Sequence, residues 1–204
     1  MTAFTLETSS GHSGRQDEIA EECIRKIAGG DREALATLYQ ETGTAVYAFA
    51  LSMLKNVHEA EDVQQDAFLK IWQSAAGYKA QGKPMAWIFT ITRNFALMRL
   101  RDQGREVAMS PEDWQMMFAD RSQMSEEDRI VLQSVLEVLS QEERSIVMLH
   151  TSAQLKHREI AQILDLPLAT VLSKYNRALK KLKKALTGTD AGLGKRREGG
   201  RTDE

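Results

Sequence analysis

Apolar side chains recur every three or four positions through several long stretches of this chain, and none of its three prolines, Pro84, Pro111 and Pro167, lies inside one. Proline removes a backbone donor and clashes with the preceding helical turn, so its absence leaves those stretches free to be helices. Start and stop signals agree. Gly29-Gly30 closes a helix over about 16–28. Asp31 can cap the next, "DREALATLYQETGTAVYAFALSMLKN", where Leu35, Leu38, Tyr39, Val46, Phe49, Ala50 and Met53 form a stripe. A third helix spans about 58–73, and "SAAGYKAQGK" is a loop. Pro84 opens a fourth helix, "PMAWIFTITRNFALMRLRD". Further on, Ser125 begins a helix to about 138, and Ser140 with Glu143 makes a capping box for one to about 150. Helices near 154–164 and 167–186 complete an all-α chain.

Charge divides the chain. Residues 21–105 carry 11 basic and 10 acidic side chains; residues 106–128 carry 1 and 7; residues 129–188 carry 10 and 5. A near-neutral block, an acidic connector and a basic block favour two small helical domains, at 16–105 and 125–187, joined by a flexible acidic linker at 106–124. The Ser-, Thr- and Gly-rich residues 1–15 and the tail 188–204 are expected to be disordered. Trp114, Met116, Met117 and Phe118 in the linker suit an apolar groove on a partner, or fold back as a lid on either block.

Several chemistries find no support. Cys23 is the sole cysteine, so no intramolecular disulfide forms. The four histidines are scattered, which argues against a metal site. No Gly-rich phosphate loop and no nucleophile with an evident base is present, so neither a cofactor nor catalysis is expected. The first residues lack a signal peptide's basic start and apolar core, and no run of about 18 apolar residues occurs. A soluble, cytoplasmic protein without membrane insertion is the expectation.

The basic block ends in "REIAQILDLPLATVLSKYNRALKKLKKAL". Over 170–186 it holds Lys174, Arg177, Lys180, Lys181, Lys183 and Lys184 and no acid. Leu168, Val171, Leu172, Tyr175, Ala178, Leu179, Leu182 and Leu186 make one face, expected to be buried, and "DLP" leaves only a tight turn before it. Two short helices with a basic, polar outer face on the second fit a helix-turn-helix. A solvated lysine face remains the bland alternative.

"LSQEERSIVMLH…REIAQILDLPLATVLSKYNRALKKLKKAL" resembles region four, the C-terminal DNA-binding region of bacterial RNA polymerase sigma factors of the sigma-70 family, best in the extracytoplasmic-function (ECF) type. The resemblance implies reading of the minus-thirty-five promoter element in the major groove by Thr170, Ser173, Lys174 and Arg177, with Lys181 in support. Three positions depart from the family pattern: Asp165 stands where a glycine is usual, Pro167 where a small polar cap is usual, and Leu172 where a basic residue is common.

"AEDVQQDAFLKIW" resembles the family's region two, at the helix that docks on the clamp coiled coil of the polymerase's largest subunit. That likeness places Asp62, Gln65, Asp66 and Leu69 at core RNA polymerase. The opposite face, Ala60, Val63, Ala67 and Ile71, belongs to the core. In "GYKAQGKPMAWIFTITRNFALMRLRDQGR" aromatics alternate with cations, a mixture that stacks unpaired bases and follows a phosphate backbone. The resemblance implies that the minus-ten element is melted here, with a flipped base held near Gln81 and DNA contacts from Tyr78, Lys79, Lys83, Arg93, Asn94, Arg99 and Arg101. For Trp87 a core position is favoured.

Together these likenesses imply a transcription initiation factor that directs core RNA polymerase to promoter DNA, without enzymatic activity. Many relatives are held by an anti-sigma factor, so one is expected here. Two other classes stay open at this level: a helix-turn-helix regulator acting without polymerase, and a helical adaptor that binds no DNA.

Overall fold

The computed structural model describes residues 10–80, 82–103 and 137–194, all of them helical or in the connections between helices. Four helices come first: α1 (Ser10–Ala28), α2 (Arg32–Leu54), α3 (Val57–Ser74) and α4 (Pro84–Gln103). A short 3-10 turn, Ala75–Gly77, precedes the α3–α4 loop. Three more follow: α5 (Gln141–Thr151), α6 (His157–Leu164) and α7 (Leu168–Gly194).

The local signals are used as the sequence suggests. Gly30 takes φ +88°, and its N–H donates to the Ile27 carbonyl, which closes α1. The Asp31 Oδ1 accepts from the Glu33 and Ala34 N–H groups at 2.9 and 3.1 Å. Ser140 and Glu143 form the expected reciprocal cap at the head of α5. Two ends run longer than expected, since α1 starts at Ser10 rather than near 16 and α7 continues to Gly194 rather than stopping near 186. Helix propensity is a weak guide at termini, and no proline stops either extension. The linker, with its four apolar candidates, and nearly all of the helix expected over 125–138 fall outside the described residues.

α1–α4 pack as one bundle, with α2 between α1 and α3 and against α4. Phe49 of α2 and Phe89 of α4 meet edge to face, ring centres 5.5 Å apart, both at most 1% exposed. Truncating a ring so placed to alanine typically costs about 3–5 kcal/mol. α5, α6 and α7 pack on one another, and the two groups also meet, α2 against α5 and α4 against α6. One apolar cluster runs through both, from Ile24, Leu38 and Phe49 to Ile146, Leu149, Ile160 and Val171. Cys23 is buried between α1 and α2 as a small core residue.

Two expectations about burial are corrected. Tyr39 is 45% exposed rather than core; its ring lies on Phe68 and its hydroxyl faces the Gln64 amide. The apolar face of α7 is only partly covered. Val171 and Ala178 are buried, but Leu172 and Leu179 remain 41% and 43% exposed. Over the described side chains, this apolar face is wider than the strip that α5 and α6 cover.

Candidate nucleic-acid and partner interfaces

Helix α7 is delivered by a turn that its sequence makes costly and its structure makes tight. Asp165 closes α6 in the left-handed region, φ 54° and ψ 48°, where glycine is the easier occupant. The Leu166 N–H then donates to the Ala161 carbonyl at 3.0 Å, and the Pro167 carbonyl accepts the first helical bond of α7 from Val171. With this geometry α7 packs against α6 as the second helix of a helix-turn-helix. Ser173 and Arg177 are exposed, and Thr170 is half-buried beside them.

The other two basic candidates on α7 have protein partners. Lys174 pairs with Glu142. Lys181 donates to the Glu143 Oε2 at 2.7 Å. Glu143 is 2% exposed and also closes the α5 cap, accepting from the Ser140 N–H at 2.9 Å. Burial pushes its carboxyl up, but the Lys181 ammonium and the Ser140 donors outweigh burial and hold it below the ordinary range. Lys181 is thus a strut between α7 and α5. The acid partners of Lys174 and Lys181, Glu142 and Glu143, were not foreseen, although Glu143 belongs to the capping box that was.

An aromatic cluster joins the helix-turn-helix to α5. His150, His157 and Tyr175 stack with ring centres 4.6–4.9 Å apart, one from each of α5, α6 and α7. The His157 Nε2 is buried without a partner. Burial, then the neighbouring His150, pushes the His157 pKa below 6.5.

On α4 the predicted cations separate into three directions. Lys83, Thr90, Asn94 and Arg101 are all exposed. The spacing of 4 and 7 from Thr90 through Asn94 to Arg101 returns to one bearing at about 100° per residue. Asn94 and Arg101 therefore form a single outward line on α4, which Thr90 joins, and Lys83 is exposed just before the helix begins. Arg93 points to another flank, where its Nη2 donates to the Leu164 carbonyl at the end of α6, 3.0 Å away. Arg99 turns to α3. In the loop, Lys79 is exposed, while Tyr78 is half-buried, stacked on Trp87 at 4.8 Å and donating its hydroxyl to Glu21 at 2.7 Å. Trp87 itself is half-buried against the core. Gln81 lies outside the described residues.

α3 divides as its pattern suggests. Ala60, Val63, Ala67 and Ile71 are buried, and Phe68 with them. Asp62, Gln65 and Leu69 are exposed, Leu69 by 56%, and Asp66 is half-buried beside them. Arg99 reaches this face. Its Nη1 lies 3.5 Å from the Glu59 and 3.6 Å from the Asp62 carboxylate, and its Nη2 lies 3.2 Å from that of Asp66. The spacing of Glu59, Asp62 and Asp66, i, i+3 and i+7, was the signal that could have added Glu59 to the set.

Among the described residues, no three or more of His, Cys, Asp and Glu group closely enough to hold a metal ion, and no helix is long and apolar enough to cross a membrane.

Comparison with known proteins gives two family matches in order along the chain: sigma-70 region 2 over residues 38–106, and sigma-70 region 4 over residues 129–182. Together they span more than half of it. The ECF RNA polymerase sigma factor SigK of Mycobacterium ulcerans is 29% identical over 185 residues, covering 87% of this chain and 98% of that protein. SigW of Bacillus subtilis, another ECF sigma factor, is 26% identical over 178 residues, covering 80% and 94%. Two solved structures share the fold. CnrH in complex with the cytosolic domain of CnrY superposes with a TM-score of 0.61 at 23% identity, covering 83% of this chain and 98% of that one. RpoE bound to the anti-sigma factor NepR, from Bartonella quintana, gives 0.58 at 24%, covering 74% and 97%.

Proposed function

This chain belongs to the sigma-70 family, as an ECF-type sigma factor that directs transcription initiation at promoters, and we propose a division of that work among its helices. The exposed α3 line of Asp62, Gln65, Asp66 and Leu69 docks on core RNA polymerase. The outward line of Asn94 and Arg101 on α4, with Lys83, Lys79 and Tyr78 in the loop before it, meets the minus-ten element. Thr170, Ser173, Lys174 and Arg177 on α7 meet the minus-thirty-five element. The first unit is taken as residues 16–105 and the second as 125–187.

The single observation that carries the division is the separation of charge. One acidic line on α3 and two basic lines, on α4 and α7, stand on different helices of a chain whose formal charge is only −2. Basic side chains neutralise phosphates, and phosphate contacts fix register on a duplex. An acidic face is repelled by DNA and suits a basic protein surface. Melting then follows from differential binding: a site that holds an unpaired base gains only from opened DNA. None of this needs catalytic chemistry from the chain. Its place of action is the cytoplasm, where core polymerase works.

CnrH and RpoE, which share the fold, were each solved with a partner protein, the cytosolic domain of CnrY and the anti-sigma factor NepR. An anti-sigma factor is the corresponding expectation here. The decisive experiment for the main reading is promoter-dependent run-off transcription with purified core polymerase. Transcripts should need both this chain and the promoter, and should fall sharply with Asp62→Ala and Asp66→Ala together. Full transcription by that double variant would overturn the docking assignment. Sequence-specific DNA binding that is indifferent to core polymerase would favour an independent regulator.

A further inference from the structure

We propose that Arg99 is a positioning residue for the polymerase-docking face of α3, holding Asp62 and Asp66 in their docking geometry, and that it is not a contact to minus-ten DNA. This rests on the reading of α3 given above.

The argument starts from where the guanidinium is. Arg99 sits on α4 about 140–160° around the helix from the outward line of Asn94 and Arg101, by the same angular arithmetic. A side chain so placed cannot join that line on one DNA strand without leaving α3. Its guanidinium lies between three carboxylates, nearest to Asp66 at 3.2 Å. The hydrogen bond that Arg99 donates to Asp66 and the charges of Glu59, Asp62 and Asp66 raise its pKa against the opposing effect of burial.

Next comes what α3 would be without it. Glu59, Asp62 and Asp66 line one side of a single helix, and like charges at this spacing repel. One arginine reduces the local negative charge from −3 to −2, gives Glu59 and Asp66 a fixed donor, and holds Asp62 as an ion pair at 3.6 Å. The planar guanidinium suits this task, because it presents several donors in one rigid fork, whereas a lysine is a single point of charge. Each carboxylate has two oxygens, and the recorded contacts use one oxygen apiece. The remaining oxygens of Asp62 and Asp66 stay available, as the side-chain exposures of 55% and 37% indicate. Glu59, at 24%, is the inner anchor. An ordered pair of carboxylates loses less rotamer freedom on docking than a splayed pair.

Removing the arginine has two opposing effects. The face becomes more negative, which favours encounter with a basic surface. It also loses its order, which shortens the life of the complex once formed. The second effect is local and the first is screened by salt, so the dissociation rate is the quantity to measure. The experiment uses the full chain and purified core polymerase, with binding kinetics followed on an immobilised polymerase. Arg99→Ala is expected to raise the dissociation rate about three- to tenfold, the range of a small network of partly exposed ion pairs plus ordering. Arg99→Lys should recover part of the loss. In the Asp62→Ala, Asp66→Ala background, Arg99→Ala should change the rate no further. A preassembled holoenzyme carrying Arg99→Ala should bind a minus-ten single-strand oligonucleotide as well as the parent does.

An unchanged dissociation rate overturns the assignment, as does a loss that persists in the double-aspartate background. So does a defect confined to the oligonucleotide step, which would return Arg99 to DNA. If the double-aspartate variant alone dissociates like the parent, the docking face is not on α3. That result removes the wider reading together with this one, and it is distinct because it involves no change at Arg99.

Discussion

The Arg144 guanidinium donates from Nη1 to the Ser52 carbonyl at 3.2 Å, joining α5 to the end of α2 across 92 positions of sequence. Its Nη2 donates to the Leu139 carbonyl at 3.0 Å, while its Nε is buried without a partner. Burial pushes the Arg144 pKa down, and the charge of Glu137 opposes it. The cation is held instead by the carbonyl end of a helix, where positive charge is favoured. Arg93 makes the matching contact on the other side, to the last carbonyl of α6. Each unit thus caps a helix of the other.

Truncating Arg144 should therefore loosen the contact between the units more than a surface change could. Arg144→Ala leaves a cavity and two carbonyls without their donor, and should lower the unfolding free energy by about 2–4 kcal/mol. Arg144→Met fills most of the space and removes a buried charge, so its cost should be nearer about 1 kcal/mol. Urea unfolding of the two variants at neutral pH measures both. Equal costs would show that the guanidinium's hydrogen bonds, and not its volume, hold α5 to α2.

What the sequence made legible was whatever is local. The Asp31 cap, the Gly30 stop, the Ser140–Glu143 box and the buried face of α3 depend on residues within a turn or two of each other, and all are present. The site lines on α3, α4 and α7 could likewise be ordered by angular arithmetic. Partners were not legible, because they come from far away in the chain. Arg93 meets Leu164 71 positions on, Lys181 meets Glu143 38 positions back, and Arg99 meets Asp66 33 positions back. A cation on a helix looks the same in sequence whether it faces DNA or a buried carboxylate. Only the packing of α4 against α3 and α6, and of α7 against α5, tells them apart.

Acid should weaken the second unit in two stages. His157 has a folded pKa below its ordinary 6.5, so its stabilising contribution is full above that value and is lost as pH falls through the folded pKa. Glu143 follows the same rule lower down, because its folded pKa lies below 4.5. Thermal unfolding should show a decline beginning just under pH 6.5 and a further one under pH 4.5. His157→Phe keeps an aromatic ring against Tyr175 and cannot take a proton, so it should abolish the first stage and spare the second. Glu143→Gln should do the reverse.

The turn into α7 carries a residue that fits it poorly. Asp165 occupies the left-handed region and places a negative side chain at the carbonyl end of α6, and both features are unfavourable. Asp165→Asn removes the charge and tolerates the conformation, and Asp165→Gly removes the strain as well. Each should raise stability by about 0.5–1 kcal/mol. A lower melting temperature in Asp165→Gly would mean that the Asp165 side chain contributes something these contacts do not include.

The two basic lines should fail in different ways. Arg177 is exposed on the outer face of α7, and in the proposed assignment it reaches the upstream element. Arg177→Ala in the holoenzyme should weaken binding to a promoter by about 1–3 kcal/mol. The same variant should lose nothing on a promoter whose upstream element has been scrambled. In the same assignment Arg101 on α4 and Lys83 just before it meet the minus-ten element, so their alanine variants should bind the duplex upstream region normally and open the minus-ten region poorly. Each lost phosphate contact should also lower the slope of log affinity against log salt by about one. Arg93→Ala supplies the internal control: its guanidinium is spent on the Leu164 carbonyl, so the variant should lose stability while keeping the parent's salt slope. Permanganate footprinting for opening and filter binding across a salt series separate these outcomes, and a reduced slope in Arg93→Ala would move that residue to the DNA.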